Sequence, residues 1–174
     1  MRVWATVAAG FVLTGCAVPL SNDAPSAQTS RFSGTSIEFA SYGLNVSGSG
    51  GLEIGFGRAM PGVVEAVARV TDTRPGDPQT NRECGVGPVT AVRFANGLTL
   101  NFMDGAFEGW VATAPGSGAT QSGLVVGASR ATLGNAPLQT TTLGQEFQTD
   151  GVYGLIDDTD TVGALWAGAT CFFR

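Results

Sequence analysis

A nine-residue pattern that occurs twice constrains the fold of this chain more than any other feature. The first copy is Gly51-Leu-Glu-Ile-Gly-Phe-Gly-Arg-Ala59, and the second, 72 residues on (123 − 51), is Gly123-Leu-Val-Val-Gly-Ala-Ser-Arg-Ala131. Both contain Gly-Leu-x-x-Gly-x-x-Arg-Ala and precede short apolar runs separated by turn residues. Such self-similarity is typical of a duplicated structural unit. Chance similarity is the competing interpretation, because 26 of the 174 residues are glycine.

The segment after the first copy predicts a helix. Pro61 suits the first helical turn, where its missing N–H costs nothing, and valines follow at helical spacing at positions 63, 64, 67 and 70. Because β-branched residues are mediocre helix formers, we expect this helix to depend on packing against a sheet.

Three short strands, 89–94, 98–103 and 106–111, are predicted next, separated by Asn96-Gly97 and Asp104-Gly105. A three-residue loop with Gly97 left-handed would pair Phe94 with Leu98, and a two-residue turn at Asp104-Gly105 would pair Leu98 with Val111. One face is then apolar: Val92, Phe94, Leu98, Leu100, Phe102, Phe107 and Val111. The other face carries Arg93, Thr99, Asn101, Met103, Glu108 and Trp110.

The second half repeats this order in degenerate form. Its helix is poor, since Gly134 and Pro137 interrupt it, and short apolar runs around Asp150-Gly151 follow. When the two halves are aligned at Asn96-Gly97 and Asp150-Gly151, Trp110 and Trp166 fall at nearly equivalent positions. The predicted fold is therefore α+β and strand-rich, with two degenerate tandem repeats at about 48–112 and 120–174, each a short helix followed by an antiparallel β-meander.

This order of elements resembles the tandem fold of the secreted β-lactamase inhibitor proteins. In single copy, it also resembles the small outer-membrane lipoproteins of the barrel-assembly machinery. The phrases Ile-Gly-Phe-Gly-Arg-Ala, Gly-Leu-Thr-Leu-Asn-Phe and Leu-Trp-Ala-Gly-x-x-Cys are similar to a set of uncharacterised alphaproteobacterial envelope proteins. The resemblance to these envelope proteins covers most of the mature chain and implies no particular activity.

The first residues predict export and a lipid anchor. Arg2 precedes an apolar run over 3–12, which is typical of a signal peptide and too short to span a bilayer. Leu13-Thr-Gly-Cys16 resembles the bacterial lipobox, which implies cleavage before Cys16 and acylation of its sulfur. The alternative is an ordinary secretory peptide. Ala17 after the cysteine favours, by resemblance to enterobacterial sorting rules, a periplasm-facing lipoprotein of the outer membrane.

The predicted domains are accordingly a signal peptide at 1–15, a lipidated flexible tether at 16–34 and a globular domain at 35–174. The net charge of −5 comes from 14 acidic residues and nine arginines, with no lysine or histidine. This balance disfavours nucleic-acid binding and excludes histidine-based triads, imidazole metal sites and Schiff-base chemistry. The glycine-rich stretch at 48–58 fits no nucleotide-binding pattern, so we expect no nucleotide, cofactor or metal.

Paired carboxylates are the remaining route to catalysis. The candidates Glu53, Asp104, Glu108 and Glu146 show no diagnostic spacing. The acidic run 157–160 offers oxygens to Ca²⁺ but lacks the length and terminal Glu of a calcium loop, which favours a hairpin loop.

Two sets of residues are candidates for recognition. Arg58 and Arg130 hold the same position in both copies and could clamp an anion, although a structural role is the favoured interpretation. Trp110, with Arg93 and Glu108 near it, could anchor a partner; coverage of the indole within the chain is favoured instead. Trp166 could likewise contact a ligand or partner, and core filling is favoured for it.

Cys84 and Cys171 remain once Cys16 carries lipid. In an oxidising compartment they are expected to form a disulfide that ties the two halves together, the alternative being two buried thiols. On the chain-entropy model, a bond that closes a loop of 87 residues (171 − 84) stabilises the folded protein by roughly 4–5 kcal/mol.

The sequence thus predicts a non-enzymatic, lipid-anchored envelope protein with a binding or structural role, whose partner is an envelope protein or a glycan. The alternative is a small carboxylate-based enzyme acting on glycans or peptidoglycan.

Cys16→Ser tests the anchor. We expect the wild-type protein to partition into the detergent phase and the variant into the aqueous phase, because several acyl chains hold a protein stably on a membrane. Wild-type protein found wholly in the aqueous phase would contradict the lipobox interpretation.

Overall fold

Two β-sheets and one α-helix make up the part of the chain that the computed structural model describes, residues 34–172. The fold is α+β and mostly β, which confirms the predicted class at that level. Cys16, the predicted signal peptide and nearly all of the predicted tether lie outside the described residues.

The smaller sheet has four strands in the order β3-β2-β1-β8. They are β1 (Ser36–Ala40), β2 (Gly43–Ser47), β3 (Leu52–Gly55) and β8 (Ala119–Thr120). Strands β1 to β3 are antiparallel, and β8 pairs with β1 in parallel. The second half therefore begins by adding a strand to the sheet that opened the first half.

The only α-helix in the described part of the chain, α1 (Met60–Thr71), lies where the valine spacing predicts it. Pro61 occupies its first turn, and Val63, Val67 and Val70 are buried. The helix ends at Asp72, whose left-handed backbone (φ 48°) donates an N–H back to the carbonyl of Ala68.

The larger sheet has eight antiparallel strands in the order β4-β5-β6-β7-β12-β11-β10-β9. In the first half these are β4 (Gln79–Asn81), β5 (Val89–Arg93), β6 (Leu98–Met103) and β7 (Ala106–Ala112). In the second half they are β9 (Leu138–Thr141), β10 (Gly144–Thr149), β11 (Val152–Ile156) and β12 (Val162–Gly168). Two four-stranded meanders thus meet at the pairing of β7 with β12.

A single turn stands where the second helix was expected. It is the 3₁₀-helix η1 (Arg130–Leu133), which ends at Gly134 with φ 57°. Gly134 and Pro137 stop helix growth, since one takes a left-handed backbone here and the other cannot donate an N–H. The first half therefore consists of a helix and a meander. The second half has a meander and only this 3₁₀ turn in place of the α-helix.

The predicted register of β5 with β6 is correct, and that of β6 with β7 is correct near its turn and wrong beyond it. Gly97 has φ 85° and the N–H of Phe94 donates to the carbonyl of Leu98 at 2.8 Å, as the three-residue loop requires. Leu98, however, pairs with Ala112 rather than Val111, because a β-bulge interrupts the pairing of β6 with β7. Glu108 is the extra residue of that bulge.

The bulge turns Trp110 inward and Val111 outward, which reverses their predicted faces. Trp110 is completely buried, its ring stacks on Phe39 at 4.4 Å between centroids, and its Nε1–H donates to the carbonyl of Ala40 at 3.0 Å. The indole is thus covered by β1, within the chain. Gly109 beside the bulge was the available sequence signal, because glycine inside a strand often marks one.

The core fills the space between the larger sheet on one side and α1 with the smaller sheet on the other. The side of the larger sheet that faces α1 is called its inner face, and the opposite side its outer face. The largest fully buried side chains are Trp110, Phe39, Phe102, Phe107, Leu44, Leu98, Leu100 and Leu165.

The segments at the start of α1 and of η1 bond to the larger sheet through three equivalent backbone hydrogen bonds each. In the first half these are Gly57 N to Phe107 O (2.7 Å), Phe107 N to Arg58 O (2.8 Å) and Met60 N to Gly105 O (2.9 Å). In the second half they are Gly127 N to Val162 O (2.7 Å), Val162 N to Ala128 O (2.8 Å) and Arg130 N to Asp160 O (3.0 Å). The pairing of β11 with β12 also carries a bulge at the matching place, where Gly163 is the extra residue opposite Leu155 and Ile156.

This hydrogen-bond pattern shifts the correspondence read from the sequence. Arg130 takes the position of Met60, two residues away from Arg58, and Leu165 takes that of Trp110. Trp166 corresponds instead to Val111. The shared Arg-Ala of the nine-residue pattern is therefore not the structurally matching pair.

Trp110→Ala is expected to lower the free energy of unfolding by about 3–5 kcal/mol, because it removes a large buried ring and leaves the carbonyl of Ala40 without its donor. Chemical denaturation measures this change. Val86→Ala, at a side chain that is 53% exposed, is the control and should change stability by less than about 0.5 kcal/mol. Equal effects in the two variants would contradict the assignment of Trp110 to the core.

Candidate functional site on the outer face of the larger sheet

One row of side chains runs across six strands of the outer face. Each member is the in-register neighbour of the next, on β5, β6, β7, β12, β11 and β10 in turn. We call this set the outer row: Arg93, Thr99, Val111, Trp166, Tyr153 and Gln148. It spans both halves of the chain, so the outer face is one continuous surface.

A C-terminal strap, residues 169–172, lies over this face. The N–H of Ala169 donates to the carbonyl of Glu108 at 2.7 Å, and Nδ2 of buried Asn101 donates to the carbonyl of Ala169 at 2.9 Å. Gly109 permits this approach, since a Cβ there would collide with the backbone of Ala169. The bulge that redirects Trp110 thus also presents the carbonyl that holds the strap.

A disulfide between Cys84 and Cys171 fastens the strap to the loop after β4. This confirms the predicted pairing, with a separation of 87 residues and 5.2 Å between the Cα atoms. Asn81, the last residue of β4, also donates from Nδ2 to Cys171 Sγ at 3.2 Å. The end of the second half is thereby bonded to the edge of the first.

Three aromatic rings form a ridge in the middle of the face. The Phe172 ring meets Trp166 edge-on at 5.0 Å, and the Tyr153 ring lies nearly parallel to Trp166 at 6.1 Å with an angle of 15°. Trp166 is buried beneath its neighbours, whereas Tyr153 is 39% exposed. The ridge separates a hollow on the β5 side from one on the β10 side.

The hollow on the β5 side, the arginine groove, has a volume of about 450 Å³. Its lining includes Ala91, Arg93, Thr99, Asn101, Val111, Cys171 and Phe172. Arg93 is exposed, and its guanidinium makes no hydrogen bond or ion pair with any residue between 34 and 172. Among the described residues no carboxylate lines this groove.

The hollow on the β10 side, the tyrosine recess, is smaller, at about 170 Å³. It is lined by Pro137, Gln139, Thr141, Glu146, Phe147, Gln148 and Tyr153. Glu146 is only 6% exposed, and the hydroxyl of Thr141 donates to its Oε1 at 2.6 Å. The recess therefore combines an exposed aromatic ring with several hydrogen-bonding side chains.

The predicted trio of Arg93, Trp110 and Glu108 is not brought together. Arg93 lines the arginine groove, Trp110 lies in the core, and half-buried Glu108 sits at the bulge and does not line the groove. Sequence reasoning missed Tyr153 and favoured core filling for Trp166, which instead lies on the outer face beneath Tyr153 and Phe172. The alternation within 152–156 contained the signal for Tyr153, whereas the extra residue Gly163 interrupts the alternation within 162–168 and hides the face of Trp166.

The two candidate clamp arginines stand in different surroundings. Arg58 is exposed at a groove of about 310 Å³ that also includes Glu53 and part of α1. Arg130 pairs with Asp160 at 3.4 Å in a solvent-exposed contact, which contributes little stability. They do not line a common groove among those described.

The acidic run forms the hairpin loop between β11 and β12, as favoured from the sequence. The Asp157 carboxylate accepts from the Thr159 hydroxyl at 2.7 Å and from the backbone and hydroxyl of Thr161 at 3.1 and 2.9 Å. These bonds, led by that of Thr159, lower the pKa of Asp157 from 3.8 to about 2. Between residues 34 and 172, no three Cys, Asp or Glu side chains are placed so that they could hold a metal ion together.

Comparison with protein-family models, with curated proteins and with solved structures finds no match to this chain. Within the described part, no helix is long and apolar enough to cross a membrane. Function must therefore be argued from the outer face itself.

Asp157 gives a testable pH dependence. Its pKa is lower when folded, so its bonds stabilise the protein above about pH 4, and that contribution is lost as the pH falls towards 2. Asp157→Asn should lower the melting temperature at neutral pH and weaken its decline between about pH 4 and 2, while the exposed control Asp158→Asn should not. A carboxyl NMR titration with its midpoint at the ordinary value would contradict the assignment.

Proposed function

We propose that this chain is a non-enzymatic binding module of the bacterial cell envelope, anchored by lipid on Cys16 and facing the periplasm. Its outer sheet face receives an acidic segment of a protein partner in the arginine groove. The membrane, through the lipid, and this protein are its two partners, with no nucleic acid or nucleotide involved.

The anchor is supported by the lipobox-like Leu13-Thr-Gly-Cys16 after an apolar run. A tether between Cys16 and β1 would leave the domain free to turn its outer face to a partner. Ala17 after the cysteine favours the outer membrane by the same resemblance.

The observation that carries the proposal is the electrostatics of the arginine groove. The protein as a whole is acidic, with 14 carboxylate residues against nine arginines. Arg93 nevertheless lies exposed in a groove with no carboxylate in its described lining. An approaching anionic segment meets attraction there, and arginine is among the side chains that most often anchor interfaces.

The enzyme alternative has less support. Glycoside hydrolysis requires two carboxyl groups about 5–10 Å apart across one cleft. In five grooves on the described part of the chain, Glu146 lines one, Glu53 lines another, and no carboxylate lines the remaining three. Binding is the function that this distribution favours.

The fold is also proposed to derive from tandem duplication of one meander unit. Matching hydrogen bonds at Gly57 and Gly127 and matching bulges at Glu108 and Gly163 support this origin. The second unit would have lost its helix. Such an ancestry accounts for an outer face that spans two meanders yet differs on its two sides.

Site-specific photocross-linking in membranes tests the proposal. A photoreactive residue at Thr99, on the floor of the arginine groove, should cross-link to a protein through an acidic segment, and mass spectrometry identifies that segment. Arg93→Glu should weaken the interaction at least about tenfold, because a repulsive charge replaces an attractive one.

Arg69→Glu is the matched control, since it makes the same charge change on the exposed side of α1. Like charges at this helical spacing lower stability by only a few tenths of a kcal/mol. Equal cross-linking in both variants, or none at Thr99 in the unmodified background, would contradict the proposed role of the groove.

A further inference from the structure

We propose that the tyrosine recess is a carbohydrate site that binds one pyranose unit of a neutral glycan, with the ring of Tyr153 as its platform. This goes beyond the arginine groove, since the two hollows lie on opposite sides of the aromatic ridge and share no lining residue.

The orientation of Tyr153 provides the platform. Trp166 and Gln148 are its in-register neighbours on opposite sides, on β12 and β10. One face of the tyrosine ring lies nearly parallel to the indole of Trp166, so the other face is turned towards Gln148 and the recess.

The platform is also held in place before a ligand arrives. Trp166 supports one face of Tyr153 and is itself fixed by the edge of Phe172. The strap that carries Phe172 is secured by the disulfide at Cys171. A ring already held in this way loses little rotamer freedom on binding, which favours even a weak ligand.

The polar lining matches the rim of a sugar. A pyranose has an apolar C–H face, which packs against an aromatic ring, and hydroxyls that both donate and accept hydrogen bonds. The amides of Gln139 and Gln148 offer two donors and an acceptor each, and a carboxylate accepts at both oxygens. These exposed amides and Tyr153 line the same recess.

Glu146 supplies a fixed acceptor at the floor. Burying a carboxylate is unfavourable unless it is hydrogen-bonded, and the hydroxyl of Thr141 provides such a bond at 2.6 Å. No arginine lines the recess, so its lining offers no cation to an anionic ligand. A neutral ligand rich in hydroxyls fits this lining.

The size of the recess limits what it holds. Its volume of about 170 Å³ is below the ~300–1,000 Å³ typical of pockets for drug-sized ligands. One sugar ring fits, and the rest of a chain would extend over the outer face. With one carboxylate in the recess, the site binds the glycan and lacks the carboxylate pair used to hydrolyse it.

Titration of the full chain in detergent micelles with chitotetraose, cellotetraose and maltotetraose tests the site. We expect at least one of them to bind with a dissociation constant below about 10 mM, measured by calorimetry, and to shift the side-chain amide signals of Gln139 and Gln148 in NMR spectra. Tyr153→Ala should weaken that binding at least tenfold, whereas Tyr153→Phe, which keeps the ring, should retain most of it.

Tyr42→Ala is the control, because this tyrosine is 49% exposed in the turn between β1 and β2 and does not line the recess. Arg93→Glu should also leave sugar binding unchanged, which separates this site from the arginine groove. If Tyr153→Ala lowers the melting temperature, Gln139→Ala and Gln148→Ala replace it, since both side chains are exposed. No binding of any of the three sugars, or binding unaffected by these variants, overturns the proposal.

Discussion

The β-bulge at Glu108 is the constraint on which the arrangement of this protein depends. By adding one residue to β7, it points Trp110 into the core, where the indole stacks on Phe39 and bonds the carbonyl of Ala40. That contact joins the larger sheet to the smaller one. It also sets Val111 on the outer face, so a single inserted residue determines the composition of both faces.

The same bulge organises the outer face. Its carbonyl holds Ala169, and the neighbouring Gly109 leaves room for the strap to lie close against the sheet. The disulfide at Cys171 then fixes the strap at the sheet edge, and Phe172 packs on Trp166. The ridge that divides the arginine groove from the tyrosine recess is therefore a product of the bulge, the strap and one covalent bond.

The two hollows differ in chemistry although the meanders beneath them match in hydrogen bonding. One contains an exposed arginine and no carboxylate, and the other contains a buried carboxylate, two amides and an exposed tyrosine. Backbone pattern is shared because it depends on turns and bulges, whereas side chains on a solvent-facing surface contribute little to stability and are free to differ.

Local sequence signals were enough for the elements that depend on local chemistry: the valine helix behind Pro61, the left-handed loop at Gly97 and the strand-rich α+β class. The cysteine count and the expected compartment also predicted the bond between Cys84 and Cys171. Alternation also placed Val92, Leu100 and Phe102 correctly on the buried face, but tertiary structure alone decided the faces of the residues beyond the bulge. A bulge changes side-chain direction by one residue without altering composition, so alternation assigned Trp110 and Val111 to the wrong faces and concealed the outer row beyond Thr99.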